Sequence, residues 1–593
     1  MTCTPDTPIK RVIVAVALAC ALAACSESEP ELSPIESARE ALSDGDAIAA
    51  EVSLREALSD GAARADVAAY LGEAKLQQGQ LAEARDWLTD TRFSPETEAH
   101  GNHMLGRLAM AEGDLPAAGR AFDRSLEAGG ETAELWVDIA RLRFAGGEHV
   151  QAFEASRRAS EIDPDSLPAA ILDAQLTRDA LGPARAIHSM EQALEQHPES
   201  AELLAEYAAT LGEAGRYSDM LAAVRQLQKV DPGNSRVHYL QAVLTARAGK
   251  WDLSYSLLQR SSELAEETPS ALLLSGILDL QRANYSSAAQ TLQQLAVRQP
   301  DNRRVRFLWA KSLHLGRRDR ELVYEFGEEA SRDDAAPYLQ TLVARSFESI
   351  GDRRKAGEML DRSNMAGRDR FREITSSTPF AVAAGRKTAN GADVLILARA
   401  AIGAGRPEVA ARASEEFLGQ IPGSVDAMIL AGDGLMASRR FDAAQDRFSA
   451  AARVRNSWPL AYKRSSLLQF GGANDEALAV VGDHLSSAPF NQEALAVLAE
   501  FLAIEGRWGE AARAADSAIA AGGARDPALL VLRAKASLAL GEIDDALVFA
   551  ETAHDLAPMH RDTVSTLANV YEQAEVDPAM IAAAKRKARL LGA

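Results

Sequence analysis

The sequence contains almost no cysteine. Its 593 residues include three, Cys3, Cys20 and Cys25, and none follows position 25. Disulfides and cysteine-ligated zinc sites are therefore excluded from the rest of the chain, whose fold needs no redox chemistry.

Aromatic residues and strand signals are also scarce. Phe, Trp and Tyr make up 5% of the chain, whereas alanine-rich segments with helical spacing recur throughout it. This composition predicts an all-α protein. The apolar stretch Leu272–Leu278 is much too short to span a membrane and fits a helix face between repeats.

Motifs of catalysis, phosphate binding and metal binding are missing too. The chain has no His-Glu-x-x-His, no Gly-x-Ser-x-Gly and no glycine-rich phosphate loop. His100 and His103 lie three residues apart, but without a third ligand such a pair is more often two surface histidines than a metal site. We therefore expect no cofactor, no metal ion and no enzymatic activity.

The charge is strongly negative but uneven. Lys and Arg number 64 against 85 Asp and Glu, a net charge of -21, which disfavours nucleic acid as a partner. Between residues 301 and 387, however, 18 Lys and Arg outnumber 14 Asp and Glu. A local anion-binding region is one interpretation, and charges solvated on an outer face are the other.

The first 24 residues have the features of a bacterial signal peptide. Lys10 and Arg11 precede an apolar run, Val12 to Ala23, which is too short to span a bilayer comfortably. The run ends in Leu-Ala-Ala-Cys25, which resembles the lipobox of bacterial lipoproteins. An ordinary secretory signal with an incidental cysteine is the alternative.

The lipobox resemblance implies a membrane anchor and a location. Residues 1–24 would be removed, and Cys25 would be acylated and become the first residue of the mature protein. Ser26 implies, by the sorting rule of enteric bacteria, the outer membrane with the protein facing the periplasm. Residues 25–34 are acidic and contain Ser and Pro, which predicts an unstructured tether.

The stretch from Trp136 to Pro164 contains the pattern that organises the remaining chain. Two short helical patterns flank Gly146 and Gly147, and Pro164 closes the second one. Steps of 34 residues from Ala140, in the first pattern, reach ten positions that are all Gly or Ala: Ala38, Gly72, Gly106, Ala140, Ala174, Ala208, Ala242, Gly276, Ala310 and Ala344. Chance would produce this on the order of once in a million, so the sequence has a 34-residue repeat.

Further positions complete each repeat. Twelve residues after each of these positions lies a mostly small residue: Ala50, Ala84, Ala118, Ala152, Ala186, Met220, Ser254, Ala288, Leu322 and Ala356. Prolines close the repeats at Pro164, Pro198, Pro232, Pro300 and, later, Pro422. Small residues let two helices approach closely, and proline ends the second helix, so we interpret both sets as structural.

The unit formed by Trp136, Ile139, Ala140, Ala152, Ala159 and Pro164 resembles the tetratricopeptide repeat. The resemblance implies an all-α superhelical solenoid of about 16 helix pairs that serves as a binding scaffold. We place an N-terminal array at residues 35–370 and a C-terminal array, with a basic capping helix, at residues 391–593. The irregular break at residues 371–390 could be a hinge, a loop over the groove or a decayed repeat.

The resemblance also implies that the first helix of each unit lines a concave groove. Its groove positions correspond to seven residues near the basic region: Arg304, Phe307, Lys311, His314, Tyr338, Arg345 and Arg399. Lys311, Arg345 and Arg399 occupy the same position in successive units, which suggests a stripe for an anionic ligand. Solvated charges balanced by neighbouring acids are the alternative.

These patterns favour a non-enzymatic, lipid-anchored periplasmic scaffold that joins other envelope proteins. The whole plan resembles tetratricopeptide-repeat lipoproteins of exopolysaccharide export and of the exosortase (PEP-CTERM) system. The first alternative is a groove that directly binds an anionic polysaccharide or, like a chaperone, an exported polypeptide. The second is an enzyme whose small active site lies in the break, although that stretch contains no His, no Cys and no acid pair.

Overall fold

The computed structural model describes residues 32–89, 92–261, 268–300, 302–332, 335–365, 378–386 and 391–592. The predicted signal peptide, Cys25, most of the predicted tether and part of the predicted break lie outside these residues. The described residues form α-helices and one π-helical turn, and contain no strand.

The chain separates into two compact units, an N-terminal unit, Met1–Gly146, and a C-terminal unit, Gly147–Ala593. The boundary falls inside the repeat copy that begins at Trp136. The described helices of the N-terminal unit are α1 (Pro34–Ser43), α2 (Ala47–Ser59), α3 (Arg64–Gln77), α4 (Leu81–Leu88), α5 (Glu98–Glu112), α6 (Leu115–Glu127) and α7 (Ala133–Ala145).

The C-terminal unit contains the remaining described helices. Those before the predicted break are α8 (His149–Ile162), α9 (Leu167–Leu181), α10 (Pro183–Gln196), α11 (Ala201–Glu213), α12 (Tyr217–Val230), α13 (Ser235–Arg247), α14 (Trp251–Arg260), α15 (Pro269–Gln281), α16 (Tyr285–Arg298), α17 (Arg303–Leu315), α18 (Asp319–Ala330), α19 (Pro337–Ser349) and α20 (Arg353–Met365). A short helix, α21 (Phe380–Ala384), lies within the break.

Twelve described helices follow the break. They are α22 (Gly391–Gly403), α23 (Pro407–Gln420), α24 (Val425–Ala437), α25 (Phe441–Val454), α26 (Trp458–Phe470), α27 (Asn474–Ser487), α28 (Gln492–Ile504), α29 (Trp508–Ala518), α30 (Pro527–Leu540), α31 (Ile543–Leu556), α32 (Arg561–Gln573) and α33 (Pro578–Leu590). The π-helical turn, Ile519–Gly523, directly follows α29.

In chain order the described helices form ten pairs, α1 to α20, then the single α21, then six pairs, α22 to α33. The predicted fold class, an all-α solenoid of about 16 helix pairs, is confirmed. The predicted domain boundaries stay a prediction.

Small residues in the first helices leave room for the helix that follows. Glycines at three of the predicted positions face a large apolar side chain, and a Cβ at any of them would overlap it: Gly72 faces Leu88, Gly106 faces Phe122 and Gly276 faces Leu292. Ala140 is fully buried. The small residues therefore set the spacing between helices.

Local signals start and stop the helices. Ser166, Ser200 and Asn302 cap first helices by accepting hydrogen bonds from backbone N–H groups of the first turn. The predicted closing prolines each lie two residues beyond the last residue of a second helix: Pro164 after α8, Pro198 after α10, Pro232 after α12, Pro300 after α16 and Pro422 after α23. Proline disfavours the helical conformation of the residue before it, which fits these helix ends.

The apolar core runs along each unit as clusters between neighbouring helix pairs. One cluster of the N-terminal unit joins α1, α2 and α3 through Leu42, Leu54 and Leu71. A larger cluster of the C-terminal unit extends from α15 to α20 and includes Trp309 and Phe326. The core therefore grows with each added pair, as in other solenoids.

Candidate functional site

The first helix of each pair lies on the inner face of the stack. In the C-terminal unit successive first helices contact one another, as α11 contacts α13 and α22 contacts α24, whereas the principal contacts of the described helices include no two successive second helices. The helices that come closest together lie on the concave side of a curved stack. The predicted groove residues therefore belong to helices of the inner face.

Two stretches of the C-terminal unit that are about seven helix pairs apart contact each other at what we call the seam. On one side lie residues 147–151, 179–182 and 215, and on the other lie residues 423–424, 455–456 and 487–490. Arg455 Nη2 donates a hydrogen bond to Asp179 Oδ1 at 2.9 Å across 276 residues of chain. Beside this pair the Asn456 N–H donates to the Ala180 carbonyl at 2.8 Å.

Glycines permit the close approach at the seam. Gly182, with φ of 91°, lies against Ser487, and a Cβ there would be 2.8 Å from the Ser487 Cβ. Gly215 lies beneath the ring of Phe490. The Val150 N–H completes the seam with a hydrogen bond of 3.4 Å to the Gly423 carbonyl.

The first helices of the C-terminal unit share one face of the stack, and we call the space in front of that face the lumen. The seam joins the fourth, fifth and sixth helix pairs to the eleventh, twelfth and thirteenth. Each contact joins one helix pair to the pair about seven further along the chain, in the same order on both sides, as successive turns of a superhelix do. The lumen of the C-terminal unit is the candidate binding site.

Tyr338, at the start of α19, is exposed in part and desolvated in part. Although 48% of its surface is accessible to solvent, burial raises the pKa of its phenol, and the charge of Arg525 in the loop before α30 partly offsets that rise.

Two of the predicted site residues form an aromatic pair on the inner face. The rings of Phe307 and Tyr338, on α17 and α19, lie edge to face with centroids 6.4 Å apart. Phe307 is partly buried against the large apolar cluster, so one side of its ring remains available. The pair presents aromatic surface that a ligand could cover.

The predicted cations differ in their surroundings. Arg304 is exposed and Lys311 is half-buried, and neither has an ion-pair partner among the described residues. Arg345 pairs at 2.8 Å with Glu348 one turn further along α19, and both side chains are about half exposed. His314 is half-buried, and its Nδ1 has no hydrogen-bond partner among the described residues.

Arg399, which follows the break, interacts with the charge of Asp433. Asp433 on α24 pairs with Lys463 on α26, and burial raises the pKa of Asp433 while Lys463 and Arg399 oppose the rise. The charge of Arg399 is therefore partly compensated within the protein. The structure places Arg304 and Lys311 as uncompensated cations, whereas Arg345 and Arg399 have acidic neighbours, and the predicted three-cation stripe stays a prediction.

An apolar band on the inner face was not among the predicted site residues. The positions equivalent to Phe307 and Lys311 hold Leu273 and Ile277 on α15, one repeat earlier, and Tyr239 and Val243 on α13, two repeats earlier. All four side chains are partly exposed. Together with Phe307 they form what we call the inner band. Stepping back by 34 residues from Phe307 would have found them, because the periodicity that sets the fold also sets the face.

The inner face of the N-terminal unit carries a network of paired charges. His100 Nε2 lies 2.8 Å from Glu73 Oε2, and His103 Nε2 lies 2.8 Å from Asp138 Oδ2. Arg141 pairs with the other oxygen of Asp138 at 3.0 Å. His103 is buried, contrary to the expectation of two surface histidines, because a carboxylate on the next first helix compensates it.

The described residues contain no group of three or more His, Cys, Asp or Glu side chains placed to hold a metal ion. In the same part of the chain, no helix combines the length and the apolar character that crossing a membrane requires.

Comparisons with known proteins give distant similarities. The first, the APC/C hetero-tetramer Cut9–Hcn1, is 12% identical over 98% of this chain and 96% of that chain, with a TM-score of 0.36. A tetratricopeptide repeat protein from Parabacteroides merdae is 16% identical over 40% of this chain and 94% of that chain, with a TM-score of 0.28. PilF of Pseudomonas aeruginosa is 22% identical over 39% of this chain and 96% of that chain, with a TM-score of 0.27.

No curated protein matches the sequence. Two segments, residues 103–166 and residues 183–244, match the sequence profile of the tetratricopeptide repeat. The chain therefore contains tetratricopeptide repeats, and such repeats suggest a protein–protein interaction scaffold.

Proposed function

We propose that the protein is a non-enzymatic scaffold of the bacterial cell envelope, and that the lumen of its C-terminal unit holds an extended segment of a partner protein. The inner band is the observation that carries this proposal. Partly exposed apolar and aromatic side chains at successive repeats offer pockets at regular spacing to an extended polypeptide. Arg304 and Lys311 beside the band add positive charge for acidic side chains of that segment.

The proposed location of the protein rests on the lipobox-like sequence that ends at Cys25. We propose an acylated Cys25, anchorage in the outer membrane and other envelope proteins as partners, in an exopolysaccharide-export or exosortase-type assembly system. Metabolic labelling with a fatty-acid analogue tests the anchor. Label should enter the unaltered protein and be lost in Cys25→Ser, and an unlabelled wild-type protein would contradict this part of the proposal.

Photo-crosslinking in the native cell tests the binding site. A photoreactive amino acid at Tyr239 or Phe307, on the inner face, should capture the same partner polypeptide. The matched control is Tyr324 on the second helix α18, which is 84% exposed but lies outside the first-helix face. Equal capture from Tyr324, or none from the inner face, would contradict binding in the lumen.

An anionic polysaccharide is the second candidate, and the uncompensated Arg304 and Lys311 favour it. The two candidates respond differently to substitution. If a polysaccharide binds, the double substitution Arg304→Glu and Lys311→Glu should abolish binding of that polysaccharide, whereas Phe307→Ala should have little effect on its binding. If a polypeptide binds through the inner band, Phe307→Ala should weaken capture about tenfold or more, the typical loss when a central aromatic contact is removed.

A further inference from the structure

His484, on α27, connects the seam to a titratable group. Its side chain is buried and lies one helical turn before Ser487, which packs against Gly182 across the seam. The Nδ1–H of His484 donates a hydrogen bond to the Asn456 carbonyl at 3.3 Å. The N–H of the same Asn456 donates to the Ala180 carbonyl on the other side of the seam at 2.8 Å. The imidazole therefore positions the residue whose backbone bonds across the seam.

The other ring nitrogen of His484 accepts a hydrogen bond. Asn491 Nδ2, just before α28, lies 3.2 Å from His484 Nε2. Asn491 Oδ1 accepts from the Ala494 N–H at 3.1 Å and so caps α28. Because this cap fixes which side of the amide faces the ring, the amide NH2 group donates and Nε2 accepts. These two hydrogen bonds fit the neutral ring with its proton on Nδ1.

Protonation of the ring would disrupt this arrangement. A proton on Nε2 would face the NH2 group of Asn491, and the amide could not present its oxygen to the ring without losing the cap of α28. We propose that His484 is a pH switch for the seam: protonation of its ring releases Asn456 from Ala180 and loosens the contact between successive turns of the superhelix. The switch acts on the seam whatever occupies the lumen, and it thus goes beyond the proposed function.

The groups around the ring do not compensate for this loss. Among the described residues, Asp483 is the one charged group that acts on His484, and its carboxylate already accepts a hydrogen bond from Asn456 Nδ2 at 3.2 Å. The helices that pack against α27, namely α10, α26 and α28, add no further charge that acts on the ring. From α26 the uncharged ring of Trp458 lies 5.3 Å away between centroids.

The direction of the pH dependence follows from burial. Burial lowers the pKa of His484, and the hydrogen bond to Asn456 and the charge of Asp483 only partly oppose that effect. A histidine whose pKa is lower in the folded state stabilises that state above its unfolded pKa of about 6.5. The stabilisation is lost as the pH falls below that value, so acidification should loosen the seam.

His149, at the start of α8, is the other buried histidine of the seam. Burial lowers its pKa, the charges of Asp426 and Asp179 oppose that effect, and Arg455 adds to it. A proton on His149 would therefore meet two carboxylates, whereas a proton on His484 Nε2 meets the NH2 group of an amide. This difference assigns the switch to His484.

Hydrogen exchange of the full chain tests the switch. The protection factor of the Asn456 amide, which is its intrinsic exchange rate divided by its measured rate, removes the direct effect of pH on exchange. Between about pH 7.5 and about pH 5 this factor should fall about threefold or more, and that of the Ala534 amide in α30 should stay constant. A constant factor at Asn456, or an equal fall at Ala534, would overturn the switch.

Asn491→Asp distinguishes the switch from a general effect of acid. Aspartate retains the cap of α28, and its carboxylate accepts a hydrogen bond from a protonated Nε2. In this variant the fall in protection at Asn456 should disappear or reverse. The matched control, His149→Gln, removes the other buried histidine and should leave the fall in place.

Both variants can contradict the proposal. The same fall in Asn491→Asp would show that protonation does not act through the contact between His484 and Asn491. Loss of the fall in His149→Gln would assign the response to His149 instead. Neither result bears on capture of a partner in the lumen, which the photo-crosslinking experiment tests separately.

Discussion

Single residues decide how closely the helices of a pair approach. Gly432 on α24 faces the buried ring of Phe448 on α25, and a Cβ at Gly432 would overlap that ring. Gly482 on α27 is exposed and has nothing within 4 Å of its Cβ position. Packing therefore requires glycine at position 432 and leaves room for a larger residue at position 482.

We expect Gly432→Ala to destabilise the C-terminal unit by about 1–3 kcal/mol, because an extra methyl group in a packed contact forces its neighbours to move. Gly482→Ala should instead stabilise it by up to about 1 kcal/mol, since alanine is the better helix former. Calorimetric unfolding of the full chain measures both. A destabilisation by Gly482→Ala that matches Gly432→Ala would show that packing is not the cause.

A buried lysine of the N-terminal unit makes its stability depend on pH. Lys75 is 4% exposed, and its Nζ lies 2.9 Å from carboxylate oxygens of Glu51 and of Glu83. The hydrogen bonds from Gln78 and Lys75, against the opposing effect of burial, lower the pKa of Glu51 to about 2. A carboxyl whose pKa is lower in the folded state stabilises that state above its unfolded pKa of about 4.3, and the stabilisation disappears as the pH falls through about 2.

We therefore expect Glu51→Gln to destabilise the N-terminal unit by about 1–3 kcal/mol at pH 7, because it leaves a buried charge less well paired. The difference should shrink as the pH falls towards 2 and vanish below it, where Glu51 is itself protonated. Urea titrations read out by hydrogen exchange in α2 and α3 measure it. Glu56→Gln, an exposed substitution on the same helix, is the control and should have no effect at either pH.

At the scale of elements, the short helix α21 links the predicted break to the array behind it. Phe380 packs against the apolar cluster of α22 that contains Val394 and Ala398, and the guanidinium of Arg406 lies 4.7 Å from the centre of its ring. Part of the predicted break is therefore packed against the solenoid.

We expect Phe380→Ala to destabilise α22 by about 2 kcal/mol, through lost apolar burial and a lost cation–π contact. Hydrogen exchange should rise in α22 and stay unchanged in α13, which lies far from it along the chain. Phe380→Leu retains most of the apolar contact and should have a smaller effect. Unchanged exchange in α22 would mean that α21 does not support the second array.

The helices and their pairing could be predicted because their signals are local and repeated. Small residues at a 34-residue spacing, closing prolines and glycine-marked turns all act between neighbouring positions, and the period reveals them. The predicted groove residues were found on first helices for the same reason. Their charge environment was not predictable, since the acids near Arg399 come from the next first helix, and no spacing rule reveals that pairing.

At the scale of the whole C-terminal unit, the seam depends on complementary charges on its two sides. We expect Asp179→Arg to place like charges against each other and to raise the exchange rate of the Asn456 amide about fivefold, equivalent to about 1 kcal/mol. Adding Arg455→Asp should restore the attraction with reversed signs and return the rate towards its original value. Hydrogen exchange with mass spectrometry measures both variants.

Glu415→Arg supplies the control for this exchange experiment. It disrupts the pair with Arg447 between α23 and α25, on one side of the seam, and should leave the Asn456 amide unaffected. If the double reversal exchanges as fast as Asp179→Arg alone, charge complementarity does not hold the seam.

The seam could not be predicted from the sequence. Its partners are 276 residues apart, and Asp179 and Arg455 belong to no motif. Contact between them results from the small rotation that each pair adds to the last, summed over seven pairs. That sum depends on packing details of every intervening interface, which the repeat pattern specifies only by residue class.

The seam gives the repeat number a meaning that it lacks in an array without such contacts. An open solenoid can gain or lose a unit by recombination and remain a working solenoid of a different length. Here a duplication or deletion of one 34-residue unit between Ala180 and Arg455 would carry Arg455 past Asp179 and leave the two edges out of alignment. The C-terminal unit is thus a repeat protein whose copy number is part of its architecture, and length variants should be confined to its ends.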